Sequence, residues 1–151
     1  MASGPWTLFD TFRLWEADDT FDLDSDTDYK VCLLTATWNP DVTKSLYGDL
    51  TNELPTALGY TAGGAALTQT YVQNVAQVTL SASAVAWTAA GGTLSFRYAV
   101  IYKNSTSPTG RLKPLIAYCD LDSSLAPGAN ISLTAGASGT LTFPNGIMRK
   151  Q

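Results

Sequence analysis

The chain contains no histidine among its 151 residues. That removes the side chain whose unperturbed pKa lies nearest neutrality, and with it the commonest general base and metal ligand. Charge is scarce as well: Asp, Glu, Lys and Arg make up 15% of the sequence, against about 25% in an average soluble domain. The two cysteines, Cys32 and Cys119, are not spaced as a metal site. Each lies in a strand-like run (KVCLLTA and LIAYCDLD), which suits buried thiols in a reducing compartment, although a cross-strand disulfide stays open. No apolar run approaches the ~20 residues that cross a bilayer, and the N-terminus MASGPWTLFDTF lacks the basic region of a secretory signal. A soluble protein made in a cytoplasm is expected, without a membrane partner. Catalytic templates are missing too: no Ser–His or Cys–His pair, no G-x-x-x-x-G-K-S/T and no G-x-G-x-x-G. Paired carboxylates occur (Asp120 with Asp122, Asp49 with Glu53), so composition leaves a glycosidase open, but no sugar-binding aromatic cluster flanks them. Neither an enzyme nor a cofactor is expected.

What is present fits one domain of ordinary size, 16.1 kDa and 45% apolar. A chain of this length buries about two-thirds of its unfolded surface and needs no metal or disulfide staple. A surface poor in charge belongs either to a protein covered by an assembly or to a Ser/Thr-rich β-protein. The net charge of −4 is unevenly spread. Residues 1–28 hold eight acidic residues and one basic, Arg13, for −7, whereas residues 29–151 hold eight basic and five acidic, for +3. No basic patch interleaved with aromatics appears, so nucleic acid is not an expected partner. The acidic segment suits either a solvated arm or contact with a second copy or a basic protein surface.

Along the chain, Pro5 to Trp15 reads as a short helix, with Leu8, Phe12 and Trp15 at i, i+4 and i+7. Tyr29 to Thr37 is apolar on both alternations and reads as a strand buried on two faces. Thr43 to Glu53 reads as a second short helix that Pro55 closes. From Ala65 onward the pattern is strand and turn: 65–73, 76–83, 84–88, 93–103, 114–121, 130–135 and 139–143, with turn residues such as Gly91-Gly92 and Ala126-Pro127-Gly128 between them. The expected fold is all-β, a single β-sandwich or jelly-roll-like domain over 29–151, preceded by the aromatic helix and acidic arm of 1–28.

Three constellations carry candidate roles. Trp6, Phe9, Phe12 and Trp15 are spaced by three and read either as a lid over the core or as an anchor for another protein. Asp18, Asp19, Asp22, Asp24, Asp26 and Asp28 are hard oxygen ligands, yet a Ca²⁺ loop starting at Asp22 would need Gly at position 27 and Glu at position 33, where the chain has Thr27 and Leu33. No metal site is assigned; Trp6, Phe9, Phe12, Trp15, Asp22, Asp24 and Asp26 are taken as candidate protein-interface residues. In the aromatic run 96–102, alternation places Phe96, Tyr98, Val100 and Tyr102 on one face and Arg97, Ala99 and Ile101 on the other, with Arg97 facing an Asp of a neighbouring strand.

Four stretches, DTDYKVCLLTATWNPD (26–41), YGDLTNELPTALGYTAGGAALT (47–68), VAWTAAGGTLSFRYAVIYKN (85–104) and PLIAYCDLDSS (114–124), occur in an order similar to that of a family of small tailed-bacteriophage virion structural proteins. The resemblance covers roughly residues 20–124. It implies a non-enzymatic structural role, most often as a capsid decoration (cement) protein on the outer head surface. The partner would be the major capsid protein, and the oligomer a homotrimer at threefold positions. The protein would be made in the host bacterial cytoplasm. The competing reading is a tail or head-fibre protein that binds a host-surface carbohydrate, for which Trp38 and Trp87 are the candidate stacking residues.

Overall fold

A computed structural model describes residues 1, 4–23, 26–74 and 77–150. The fold is all-β with one short helix. In chain order the elements are β1 (Thr7–Leu8), α1 (Asp10–Glu16), β2 (Tyr29–Leu34), a 3₁₀ turn (Tyr47–Asp49), β3 (Ala65–Ala66), β4 (Gln69–Asn74), β5 (Gln77–Ala82) and β6 (Val85–Thr88). There follow β7 (Leu94–Phe96), β8 (Tyr98–Lys103), β9 (Leu115–Asp120), β10 (Ile131–Leu133), β11 (Ser138–Leu141) and β12 (Met148–Lys150). A five-stranded antiparallel sheet, β1-β9-β8-β2-β3, is the spine; β12-β5-β4, β11-β6 and β10-β7 form three smaller antiparallel sheets.

The spine is apolar on both faces, as the double alternation of β2 requires. Val31, Leu33, Ala99, Ile101 and Ala117 enter the larger core, where Leu80, Val85, Trp87, Leu94, Leu141 and Met148 from the smaller sheets meet them in a sandwich-like layer. Cys32, Leu34, Val100, Tyr102 and Leu115 form a second core on the opposite face. Among the described residues no sheet covers that face. Phe9, Trp38, Tyr47 and Leu50, from irregular chain and the 3₁₀ turn, do so instead.

Several elements depart from the reading of local pattern. The helix begins at Asp10, after an extended segment, because Thr7 and Leu8 pair with Tyr118 and Ala117 of β9 and the Phe9 N–H donates to the Ile116 carbonyl at 3.1 Å. Ile116 is free to accept because β9 carries a bulge there: Ile101 faces Ala117 and Tyr102 faces Leu115. The expected helix over 43–53 contracts to one 3₁₀ turn. Beyond it the chain runs beside β2, with Leu54 N–H donating to Leu33 O (3.0 Å) and Thr35 N–H to Asn52 O (3.0 Å), pairings that a helix would forfeit. The aromatic run is split at Arg97. Residues 94–96 pair with β10 and residues 98–103 with β2 and β9, so the chain changes sheets and the two-residue alternation breaks. Phe96 therefore lies with Ala99 and Ile101 in the larger core, while Tyr98, Val100 and Tyr102 face the smaller one. The described part of 1–28 belongs to the same body: β1 extends the spine, and Phe12, Phe21 and Leu23 sit in the larger core.

Gly64 is the tightest joint against the spine. Its φ is +70°, and a Cβ there would stand 2.0 Å from the Val31 carbonyl oxygen. Gly91 has a similar φ of +74° with nothing near an added Cβ. The two positions separate backbone strain from collision. Gly91→Ala is expected to cost about 1–2 kcal/mol, the left-handed penalty alone, and Gly64→Ala at least about 3 kcal/mol, because strand β2 must also give way. Urea unfolding of both variants checks this; equal losses would mean that the close approach relaxes freely.

Candidate functional site

The stretch 47–68 turns on the carboxylate of Glu53. Tyr60 Oη donates to Glu53 Oε1 at 2.7 Å, the Gly63 N–H donates to the same oxygen at 2.7 Å, and Tyr47 Oη donates to Oε2. Tyr60 Oη also accepts the Leu33 N–H of β2 at 3.1 Å, and Tyr102 Oη of β8 donates to the Gly63 carbonyl at 2.7 Å. The Tyr47 and Tyr102 rings stack with centroids 4.5 Å apart. Burial, followed for Tyr47 by its bond to Glu53, pushes the phenols of Tyr47 and Tyr60 above the ordinary tyrosine value, so they remain donors at neutral pH. The arrangement holds protons in place; it fastens the loop 47–64 to the spine.

The acidic N-terminal segment is likewise engaged with the body of its own chain. Asp26 Oδ2 accepts from Lys103 Nζ at 2.6 Å, from Tyr29 Oη at 2.9 Å and from the Asp22 N–H at 2.9 Å. Lys103 is buried on β8. Asp18 Oδ2 lies 2.8 Å from Arg111 Nη2, and its Oδ1 accepts from the Thr20 hydroxyl at 2.5 Å. The Arg111 guanidinium in turn covers the Trp15 ring at 4.4 Å, a cation–π contact that desolvates one side of the cation. The Thr20 hydroxyl first, then the Arg111 charge, hold the Asp18 carboxyl below the usual carboxylate range.

The candidate interface residues therefore divide. Phe9 and Phe12 are 0% exposed, in the smaller and larger cores respectively, so the strip spaced by three is not one face and these two rings offer nothing to a partner. Trp6 stacks on Phe143 with centroids 5.6 Å apart, and Trp15 lies beneath Arg111. Phe9 and Phe12 thus belong to the cores, and Trp6 and Trp15 pack half-buried against the larger one. Asp22 is exposed, Asp26 is held by Lys103 and Tyr29, and Asp24 lies outside the described residues. Among the described residues no group of three His, Cys, Asp or Glu could hold a metal ion.

The paired carboxylates are used separately. Asp49 Oδ2 accepts the N–H groups of Ser45 (3.2 Å) and Leu46 (3.0 Å) at the 3₁₀ turn. Asp120 is the acid that faces Arg97, accepting from Nε at 3.2 Å and Nη2 at 3.0 Å, while Arg97 Nη1 donates to the Ala126 carbonyl at 2.8 Å and ties down the loop after β9. Asp122 accepts from the Ser124 hydroxyl and N–H. Cys32 and Cys119 are free thiols in different cores; burial pushes both upward, Cys119 to about 11. Trp38 and Trp87 are 4% and 6% exposed, so neither ring is open to a sugar.

Two clefts remain. One of about 520 Å³ lies between β1, α1 and β12, lined by Trp6, Leu8, Asp10, Arg13, Met148 and Arg149. The other, about 530 Å³, is lined by Glu16, Asp19, Asp22, Phe21, Tyr71 and Pro108. Neither brings a nucleophile to a base. Among the described residues no helix is long and apolar enough to cross a membrane. Comparison with protein-family models, curated proteins and solved structures finds no match.

Two outcomes test the fastening role. Tyr60→Phe leaves the buried Leu33 N–H without its phenol partner and removes one donor from Glu53, and is expected to destabilise by about 2–3 kcal/mol. A loss under about 0.5 kcal/mol in denaturant titration would refute the role of the phenol. Asp18 has a folded-state pKa below its unfolded one, so its contribution is present above the ordinary carboxylate pKa and disappears as pH falls through the lower folded value. Stability should fall as the pH is lowered from about 5 to about 3, and Asp18→Asn should shallow that slope. An unchanged slope would show that other carboxylates carry it.

Proposed function

We propose that the chain is a non-enzymatic structural protein of a tailed-phage virion, a decoration protein that binds the outer head surface, contacts the major capsid protein and assembles with copies of itself. The observation that carries this reading is the use to which the resembling blocks are put. Glu53, Tyr60, Gly63 and Gly64 in 47–68, and Tyr102 in 85–104, join one another and strand β2. Residues that specify a joint of the fold are those that a family sharing this architecture would share, and a mechanical role needs a rigid body more than a pocket. Engagement of Asp18, Asp26, Asp49, Asp120 and Glu53 in internal bonds also supports a structural use of these carboxylates.

Burial of Trp38 and Trp87 weighs against the carbohydrate-binding alternative, which needs a stacking platform. Attachment would fall to apolar side chains that the two cores leave exposed. Leu14 (68% exposed) on α1 and Leu112 (59%) in the loop before β9 are the leading contacts, and repetition over many sites would raise the effective affinity of a weak contact.

Co-sedimentation of the protein with empty expanded heads and, separately, with tails tests the reading. Saturable binding to heads at a stoichiometry comparable with the capsid subunit is expected, weakened about tenfold or more by Leu112→Asp. Binding to tails alone, or to neither particle, would sink it.

A further inference from the structure

Strand β4 is unlike every other strand that ends a sheet. It runs six residues, Gln69–Asn74, whereas β1 and β3 have two, β12, β7 and β10 three, and β6 and β11 four. Short length is a common protection of an edge, as are charge, proline and bulges. Here none of these is present: β4 reads Q-T-Y-V-Q-N, pairs with β5 in unbroken register, and lies within a run, residues 54–96, that contains no charged residue.

Among the described residues no strand pairs with the outer side of β4. The Ser83 N–H donates to the Thr68 carbonyl, and the Ile147 N–H to the Leu80 carbonyl, which fixes the alternation. Thr70 and Val72 turn their backbone groups toward β5. Gln69, Tyr71 and Gln73, which face Ala82, Leu80 and Val78, turn theirs outward. Among the described residues no hydrogen bond reaches those outward N–H and C=O groups. Val72 is 50% exposed, on the opposite face from the partly buried Tyr71.

The stretch Gln69-Thr70-Tyr71-Val72-Gln73 is also a near-palindrome about Tyr71, since Thr and Val are both β-branched and of similar size. A two-fold axis at Tyr71 would set Gln69 against Gln73 of a second copy, Tyr71 against Tyr71, and Thr70 against Val72. Every outward N–H and C=O from Gln69 to Gln73 would then find a partner, and the register is the one in which the same patch matches itself. The run itself is neutral, but Glu16, Asp19 and Asp22 share a cleft with Tyr71, so pairing of two such edges is expected to strengthen as salt screens them.

We propose that β4 is a self-association edge: two copies of this chain pair antiparallel through Gln69–Gln73, joining two three-stranded sheets into one of six strands, β12-β5-β4-β4-β5-β12. The assembly unit is then a two-fold dimer, in place of the trimer expected for threefold positions. The proposal does not rest on the virion reading. A dimer that ignores phage heads would leave it standing, and a monomer that decorates heads would sink it alone.

Sedimentation equilibrium of the full chain, up to roughly 100 µM because small interfaces dissociate readily, should show a species of twice 16.1 kDa. Two variants disarm the edge without touching the core. Val72→Lys puts a charge on the exposed face, and Gln73→Pro removes an N–H that points away from β5. Each should raise the dimer dissociation constant at least about tenfold with the circular dichroism spectrum unchanged. Val72→Thr, which completes the palindrome, should keep the dimer. In hydrogen exchange the amides of Tyr71 and Gln73 should be protected in the wild-type dimer, and that of Tyr71 should lose protection in Gln73→Pro. A monomer or a trimer over the whole range overturns the proposal. So does a dimer indifferent to both disarming variants, or one in which the Tyr71 amide exchanges freely.

Discussion

Burying the ring of Tyr60, and half-burying that of Tyr47, beside strand β2 draws two phenol hydrogens away from bulk water, and the carboxylate of Glu53 is what accepts them. The same carboxylate takes the Gly63 N–H, so a loop with no regular structure acquires a fixed position against the spine. That position is what the smaller core requires. One face of the five-stranded sheet is closed by other sheets; the other carries Cys32, Leu34, Val100 and Leu115, which irregular chain must cover. Without the Glu53 joint, the segment bearing Tyr47 and Leu50 would be held by its backbone bonds to residues 113–115, such as Tyr47 N–H to Lys113 O at 2.8 Å, and the cover over that face would loosen. The positive φ of Gly64, hard against the Val31 carbonyl, belongs to the same joint.

Charge is placed with similar economy. The excess of acid in residues 1–28 and the excess of base beyond them suggest two surfaces meeting, and they do meet, within one molecule. Lys103 and Arg111 receive Asp26 and Asp18, and the Trp15 ring covers one side of the Arg111 guanidinium. Lys103 is deeply buried, so its pairing with Asp26 is obligatory: removing the acid would leave an uncompensated cation beside the core.

What could be read in advance was the local part. The strands from Gln69 to Leu141 announce themselves through alternation and through the glycines between them, and β2 through apolar residues on both its faces. The failures are all non-local. Thr7 and Leu8 look helical beside Phe12 and Trp15 until β9 offers them a sheet edge. Thr43 to Glu53 looks helical until β2 offers backbone partners to Asn52 and Leu54. Phe96 looks like a neighbour of Tyr98 until the chain changes sheets at Arg97. Strand β12 gives almost no signal, because three residues carry no period. Of the site residues, the type of Asp26 and Asp18 was legible and their partners, 77 and 93 positions away, were not. Glu53 had been noticed only as half of a carboxylate pair. That it gathers two phenols is a property of the folded loop.

The order of pairing along the chain has a consequence for synthesis. Cys32 faces Val100, and Thr7 faces Tyr118, so the spine cannot close until Tyr118 has left the ribosome. The long loops to be ordered make that closure slow compared with local steps. Hairpin β4–β5 needs only its own fourteen residues, 69–82, and is free to form on the microsecond scale while the rest of the chain is still emerging. The first ordered structure on a nascent chain would then be the uncharged ribbon with its open edge, exposed for seconds while β9 and β12 are made, and neighbouring ribosomes on one message would hold such ribbons close together.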